Sequence, residues 1–337
     1  MRAAFLTKPK EIQLSTIAVP EPRAGEVRVK LKMIGVCGSD VHLFLGHRQL
    51  PSPTVIGHEG LGIIDKLGEG VTGRILGQRV VIEPNTPCYK CTYCLKNRGN
   101  ICPNKRILGL NEPGCFAEYV IVPADFCWPL PETISDNDAV TIEPMAVSVH
   151  ALLSSNAKPG DTIAVIGLGA IGLLLTHLAL SLGYKVFVTE ISQTKINLAK
   201  EMGAVALYPV GDTQTQADFL NAIWEQNQVA AVFECAGTSH TASLATAAAP
   251  RGSEIVLVGL SAKPATFTPL KIAREGIHII PSIIYDHPLD FKRTIQLIAA
   301  GIVRPSFIIS RFMPLYQLQT ALEFAAAGED SKIIILP

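Results

Sequence analysis

Four cysteines in the pattern Cys88-x2-Cys91-x2-Cys94-x7-Cys102 put four thiols on one loop, whose turns come from Pro87, Asn97, Gly99, Asn100 and Pro103. Four thiolates with no open position describe a closed tetrahedral zinc site, which holds structure rather than reacts. An iron–sulfur cluster takes four cysteines as well. A second set is dispersed. Cys37 lies in Gly35-Val36-Cys37-Gly38-Ser39-Asp40-Val41-His42, His58 and Glu59 lie in Gly57-His58-Glu59-Gly60, and Glu143 lies in Ile142-Glu143-Pro144. A soft thiolate, an imidazole and carboxylates from separate segments suit a metal that keeps one position for water or substrate. Taken singly, Cys37 reads as a small core residue, His58 as a satisfied histidine and Glu143 as a turn acid. Only their order and spacing give them joint weight.

The third feature is Gly167-Leu168-Gly169-Ala170-Ile171-Gly172, which matches G-x-G-x-x-G. It follows an apolar strand at Thr162–Ile166 and opens a helix over Ala170–Leu182, the context a dinucleotide loop requires. The first glycine makes the turn, the second lets backbone approach a pyrophosphate, and the third permits close packing. The phosphates then meet free N–H groups at a helix N-terminus. Glu190 closes the next strand, Lys185–Thr189, where a carboxylate would bond the ribose hydroxyls and repel a 2′-phosphate. No arginine follows it, so NAD is expected over NADP, with Lys195 a further contact to the ribose or phosphate edge.

These motifs need scaffolds. The chain has 337 residues, enough for about two domains with cores of their own. Twenty-nine basic and 29 acidic residues leave a formal net charge of zero, which excludes a general nucleic-acid field. Charged residues make up only 17%, which argues against disorder. The first ten residues hold no apolar signal core, and the apolar run Ile163–Leu175 is too short to span a bilayer. Clustered cysteines without a secretory signal are expected as metal ligands in a reducing cytoplasm.

Before residue 150, prolines such as Pro20, Pro51, Pro84 and Pro129 punctuate short strands, among them the alternating Val27–Met33, Gly77–Ile82 and Phe116–Val122. From Lys158 onward strands and helices alternate, which predicts a parallel sheet with right-handed crossovers. The expected strands include Ala204–Val210, Val229–Cys235 and Glu254–Gly259. Later come a helix from Pro288 to Ala300, a strand at Phe307–Arg311, a helix at Leu315–Ala327 and a closing strand at Ile333–Leu336.

Taken together, Gly-x-Cys-Gly-Ser-Asp-x-His at 35–42, Gly-His-Glu at 57–59, the four-cysteine lobe, Glu143-Pro144 and the glycine loop resemble the zinc-dependent medium-chain alcohol dehydrogenases. Glu143-Pro144 resembles the polyol (sorbitol-type) and L-threonine dehydrogenase branch. The resemblance implies an α/β fold with a GroES-like β-rich catalytic domain over 1–150. A doubly wound Rossmann NAD-binding domain follows over 151–284, and 285–337 returns to the first domain. It implies two zincs per chain and NAD, with the active site in the cleft between domains. Cys37, His58 and Glu59 would hold the catalytic zinc, with Glu143 binding directly, through water, or in exchange with Glu59. Ser39 would take the substrate proton and His42 would pass it on by way of the nicotinamide ribose. Val258, Gly259 and Leu260 would meet the carboxamide through backbone.

The implied reaction is oxidation of a secondary alcohol (polyol, sugar alcohol, sugar acid or amino alcohol) or reduction of its ketone. The implied oligomer is a tetramer or dimer, with no nucleic-acid or membrane partner. Tyr285-Asp286 stand where sorbitol-type enzymes usually carry Arg-Tyr, which puts sorbitol itself in doubt. Gln78 stands where the family commonly has Asp. Phe44, His47 and Tyr285 are candidate pocket residues, and Arg48 would be the partner of a phosphorylated polyol. A non-catalytic NAD-binding protein on the same fold is the reading from a different class. Such descendants should lose zinc ligands first, and here all are present.

Overall fold

The computed structural model describes residues 1–48 and 53–337, so Pro51 lies outside the described residues. The chain divides into two compact units: Met1–Glu143 with Asp286–Ala299 and Arg304–Pro337, and Pro144–Tyr285 with Ala300–Val303.

The first unit opens with β1 (Arg2–Lys8), β2 (Glu11–Thr16), β3 (Glu26–Gly35) and the helix α1 (Gly38–Phe44). Next come β4 (Thr54–Val55), β5 (Glu59–Leu67), β6 (Arg79–Ile82), β7 (Asn85–Thr86), β8 (Arg106–Ile107), β9 (Tyr119–Pro123) and β10 (Cys127–Pro129). The short helix α2 (Asp136–Val140) follows, and α3 (Ile142–Ser154) starts in this unit at Ile142–Glu143 and belongs to the second unit from Pro144 on. In β3, Val27, Val29, Leu31 and Met33 point inward and alternate with exposed or half-buried charges, as a strand with one buried face requires. β3 pairs with β5 and β9, and its end at Ile34–Gly35 also takes the C-terminal strand.

The second unit runs β11 (Thr162–Ile166), α4 (Ala170–Ser181), β12 (Lys185–Thr189), α5 (Gln193–Glu201), β13 (Val205–Leu207), α6 (Thr213–Gln226) and β14 (Val229–Glu234). It continues with α7 (Ser239–Ala248), β15 (Glu254–Leu257), α8 (Pro269–Glu275) and β16 (His278–Pro281). All strand pairs are parallel, in the order β13-β12-β11-β14-β15-β16. This is the doubly wound order, with β11 beside the point where it reverses. α6 was not anticipated from sequence. Asp212 caps it by accepting the Thr215 N–H at 2.8 Å, and Ala217, Leu220 and Trp224 form its narrow buried stripe.

The chain then returns to the first unit with α9 (Leu289–Ala299), β17 (Arg311–Pro314), α10 (Leu318–Ala327) and β18 (Ile333–Leu336). β18 lies between β17 and β3. The strand expected at Phe307–Arg311 is instead a 3-10 turn over Pro305–Ile308, followed by β17. Pro305 presets the helical φ at the first position, and the Ser306 N–H donates to Asp138 Oδ1 at 3.1 Å. The strand expected at Ala204–Val210 is only the three residues of β13. No helix among the described residues is long and apolar enough to cross a membrane.

Candidate metal and coenzyme sites

Cys37 sits at the N-cap of α1, and buried Asp40 lies in the first turn. Asp40 Oδ2 accepts the Cys37 N–H at 3.0 Å, and Oδ1 accepts the Gly57 N–H at 3.2 Å. Oδ1 also lies 3.4 Å from His58 Nδ1. One fully buried carboxylate thus ties the cysteine loop to the histidine loop. β3 and β5 add to this, because their register sets Gly35 against Glu59. A Cβ on Gly35 would lie 1.9 Å from Glu59 Oε2, so the glycine leaves the space the carboxylate occupies.

The donor atoms of Cys37, His58 and Glu59 all lie within 4.8 Å of one another. Zinc bonds of about 2.0–2.3 Å set ligand atoms roughly 3.3–3.8 Å apart, so small movements would close this set on one ion. Ser39 Oγ is 3.3 Å from His58 Nε2, at the edge of the cluster. Burial opposes a charge on His58, but the Asp40 and Cys37 charges outweigh it and hold the imidazole well above its ordinary range. Glu143, in the first turn of α3, is 5% exposed and falls outside the three-residue cluster, though its charge is felt at Cys115 and Lys332.

Lys332 belongs to this site and was not singled out from sequence. Its Nζ donates to Glu59 Oε1 at 2.7 Å, to Oε2 at 2.8 Å and to the Val36 carbonyl at 3.0 Å. The lysine is 3% exposed and Glu59 1%. Burial works against the charge on Lys332, but Glu59 and Cys37 raise its pKa above the ordinary lysine value. The available signal was tertiary: β18 pairs Ile334 with Gly35, which carries Lys332 to the chain end of β3.

In the cysteine lobe, Sγ–Sγ distances are 3.9 Å for Cys88–Cys94, 3.4 Å for Cys91–Cys94 and 3.8 Å for Cys91–Cys102. A tetrahedron of zinc–sulfur bonds has edges of about 3.8 Å, which these distances fit. The backbone N–H of Lys90, with that of Cys91, pulls Cys88 down to about 6, so one thiolate is ready at neutral pH. Cys115 and Cys127 are core thiols instead, pushed up to about 12 by burial.

In the second unit, Gly167 has φ +91° and Gly169 caps α4. A Cβ on Gly172 would lie 1.9 Å from the Gly167 carbonyl oxygen, whereas one on Gly169 meets nothing within 4 Å. The loop is closed where it must turn and open above Gly169 and Ala170, where a pyrophosphate would approach. Glu190 accepts the N–H groups of Leu168 at 2.6 Å, Ile191 at 2.7 Å and Ser192 at 3.0 Å. Lys195 is half-buried on α5, and Ile191 is fully exposed. Val258 and Gly259 both donate their N–H to the Glu234 carbonyl, at 2.9 and 2.8 Å, and Leu260 is exposed.

His42 is exposed on the last turn of α1, and its Nδ1 lies 3.1 Å from His47 Nδ1. Phe44 lies in the hydrophobic core of the first unit rather than on a pocket wall, and Tyr285 is only 2% exposed.

Two family models match the chain: an alcohol dehydrogenase GroES-like domain over residues 23–132 and a zinc-binding dehydrogenase over residues 170–300. A sorbitol dehydrogenase of Bacillus subtilis is 30% identical, across 100% of this chain and 97% of its own length. A zinc-binding dehydrogenase of Sinorhizobium meliloti, solved bound to NADP, superposes with a TM-score of 0.91 at 30% identity, covering 100% of this chain and 99% of that one. Galactitol-1-phosphate dehydrogenase of Escherichia coli gives 0.92 at 27% identity, covering 100% of both chains.

Proposed function

The chain belongs to the zinc-containing medium-chain alcohol dehydrogenase family, in its polyol branch, and from that premise we propose that it oxidises a secondary alcohol of the polyol class with NAD, or reduces the ketone. The observation that carries the reading is the cluster of half-buried Cys37 with buried His58 and Glu59, its donor atoms within 4.8 Å, with the Ser39 hydroxyl at its edge.

A bound zinc would supply the Lewis acidity that lowers the pKa of a coordinated alcohol, and NAD would supply the hydride acceptor. The chain's own groups do the rest. Cys37, His58 and a carboxylate from Glu59 or Glu143 hold the metal. Asp40 Oδ1 faces the far nitrogen of the His58 ring at 3.4 Å, where a slight approach would give the outer contact that sets ligand orientation. Ser39 Oγ accepts the alcohol proton, and His42, one turn along the same face of α1, takes it onward. Gly167–Gly172 bind the pyrophosphate through backbone. Glu190 faces the adenosine ribose and disfavours a 2′-phosphate, with Lys195 at its edge. Backbone of Val258–Leu260 meets the carboxamide. Because the Val258 and Gly259 N–H groups bond Glu234, that contact falls to the carbonyls and to the Leu260 N–H. Cys88, Cys91, Cys94 and Cys102 hold a second, structural zinc. We read the division as a catalytic part over 1–150, a coenzyme part over 151–284 and a return over 285–337, in a cytoplasmic dimer or tetramer.

A phosphorylated polyol is the second reading. Arg48 follows His47, and its charge is felt at Lys105, whose amine donates to the Asn100 carbonyl at 2.7 Å, so Arg48 is the cation this reading needs for a phosphate.

The test counts zinc per chain and follows NADH absorbance over sorbitol, xylitol, galactitol, galactitol 1-phosphate, L-threonine, butanediol and sugar acids, with NAD and with NADP. Two zincs and NAD-linked turnover of one polyol support the reading. Turnover confined to the phosphate ester supports the second. One zinc and no turnover on any compound refute both.

A further inference from the structure

The loop after α1 is built to set a second imidazole against His42. Gly46 has φ +77°, and a Cβ there would lie 2.8 Å from the Pro9 ring. The His47 N–H donates to the His42 carbonyl at 2.9 Å, and the Lys10 N–H donates to the Phe44 carbonyl. The chain therefore doubles back on the end of α1. It leaves the two rings 5.4 Å apart between centroids, tilted by 46°, with their Nδ1 atoms 3.1 Å apart.

Two Nδ1 atoms at that distance share one proton. One ring must hold its proton on Nδ1 and the other must present a bare Nδ1. If His42 is the donor, its Nε2 is bare, which is the form that can accept a proton. His47 then carries its proton on Nε2, and both side chains are exposed. We propose that His47 is the outer member of the proton relay: it fixes His42 in the accepting tautomer and hands the proton to water. This deepens the dehydrogenase reading and rests on it. A proton arriving at His42 Nε2 releases the Nδ1 proton to His47 Nδ1. The His47 Nε2 proton then leaves to water, with no change in electron count. Exchange with solvent at both exposed rings resets the pair. The charged groups on the surrounding elements are Lys8 of β1, Lys10 of the turn, Glu11 of β2, Arg48 of the loop after α1 and, on α10, Glu323. Asp40 of α1 is buried and already bonded to the Cys37 and Gly57 N–H groups.

The experiment compares the parent holoenzyme with His47→Ala and His47→Gln. Zinc content and NADH binding by fluorescence should stay within about twofold of the parent, because neither involves His47. Turnover in His47→Ala should fall about tenfold at unchanged KM, a modest share of what proton transfer contributes. Added imidazole should restore it with saturation. Ring nitrogen shifts by NMR should find, besides His58 and His287, whose Nδ1 atoms face carboxylates, one further Nδ1–H histidine in the parent that is lost in His47→Ala. An active parent with unchanged turnover in both variants, no imidazole effect and no Nδ1–H signal lost in His47→Ala overturns the relay alone. A parent silent on every alcohol overturns the reaction, and the relay with it.

Discussion

Lys332 Nζ binds both oxygens of Glu59, so a lysine next to the C-terminus occupies the carboxylate that the metal cluster also claims. Both residues are buried, which makes the pair a costly one to break: removing one partner leaves an uncompensated interior charge, at about 3–5 kcal/mol. Lys332→Met should therefore destabilise the zinc-free protein by that order. The zinc-loaded protein should lose less, because the ion can take over the freed Glu59 charge. Thermal melts with and without chelator check this, and the double variant Lys332→Met/Glu59→Gln should recover most of the loss. Equal losses in both forms would separate Glu59 from the metal.

Asp40 touches three parts of the site at once, and its replacement should be read in the metal rather than in the fold. In Asp40→Asn, zinc affinity at the catalytic site should fall about 10–100-fold at neutral pH, as for other groups that orient a metal-bound histidine. Proton and zinc compete for the imidazole of His58, whose pKa Asp40 helps to raise. In the parent, proton competition begins as pH falls through that raised range, and bound zinc leaves at lower pH. In the variant the loss of affinity outweighs the weaker proton competition at a less basic histidine, so the pH of half-release should move up. Zinc content after dialysis across a pH series measures both effects.

What the sequence shows and what it hides follow from distance along the chain. The four-cysteine lobe and the glycine loop are local, so spacing alone singles out their residues, and β11, β12 and β18 fall where short apolar runs demanded strands. Lys332 reads as a surface cation before an apolar strand. Only the pairing of β18 with β3 turns it inward. α6 escaped because its buried stripe is three residues wide in a polar stretch. Phe307–Arg311 looked like a strand from its apolar residues, but Pro305 and the bond to Asp138 wind it into a turn. Phe44 looked like a pocket aromatic because helix α1 carries both the chemistry and a core face.

The cysteine lobe should separate cleanly from catalysis. Cys102→Ser should hold one zinc per chain instead of two and melt earlier, since a closed tetrathiolate contributes folding energy. The remaining zinc should still support turnover below the new melting point. Loss of both zincs together would mean that the two sites are not independent.

Glu190 gives the sharpest test of coenzyme choice, because a relative of 30% identity was solved with NADP. The Glu190 carboxylate accepts three backbone N–H groups, of Leu168, Ile191 and Ser192, which hold it at the end of β12, and Ile191 beside it offers no cation. Glu190→Gln keeps the size, removes the charge and turns one of the two accepting oxygens into an NH2 that cannot take a loop N–H. Its KM for NAD should rise about tenfold, the worth of one charge-assisted hydrogen bond to a ribose hydroxyl. Its kcat/KM for NADP should rise over the parent as repulsion of the 2′-phosphate is lifted. Glu190→Ala removes the loop contacts as well and should weaken both coenzymes. Steady-state kinetics with each coenzyme at saturating alcohol decide the matter. A parent that prefers NADP, or a Glu190→Gln variant whose NAD-to-NADP ratio does not change, would remove Glu190 from the coenzyme site.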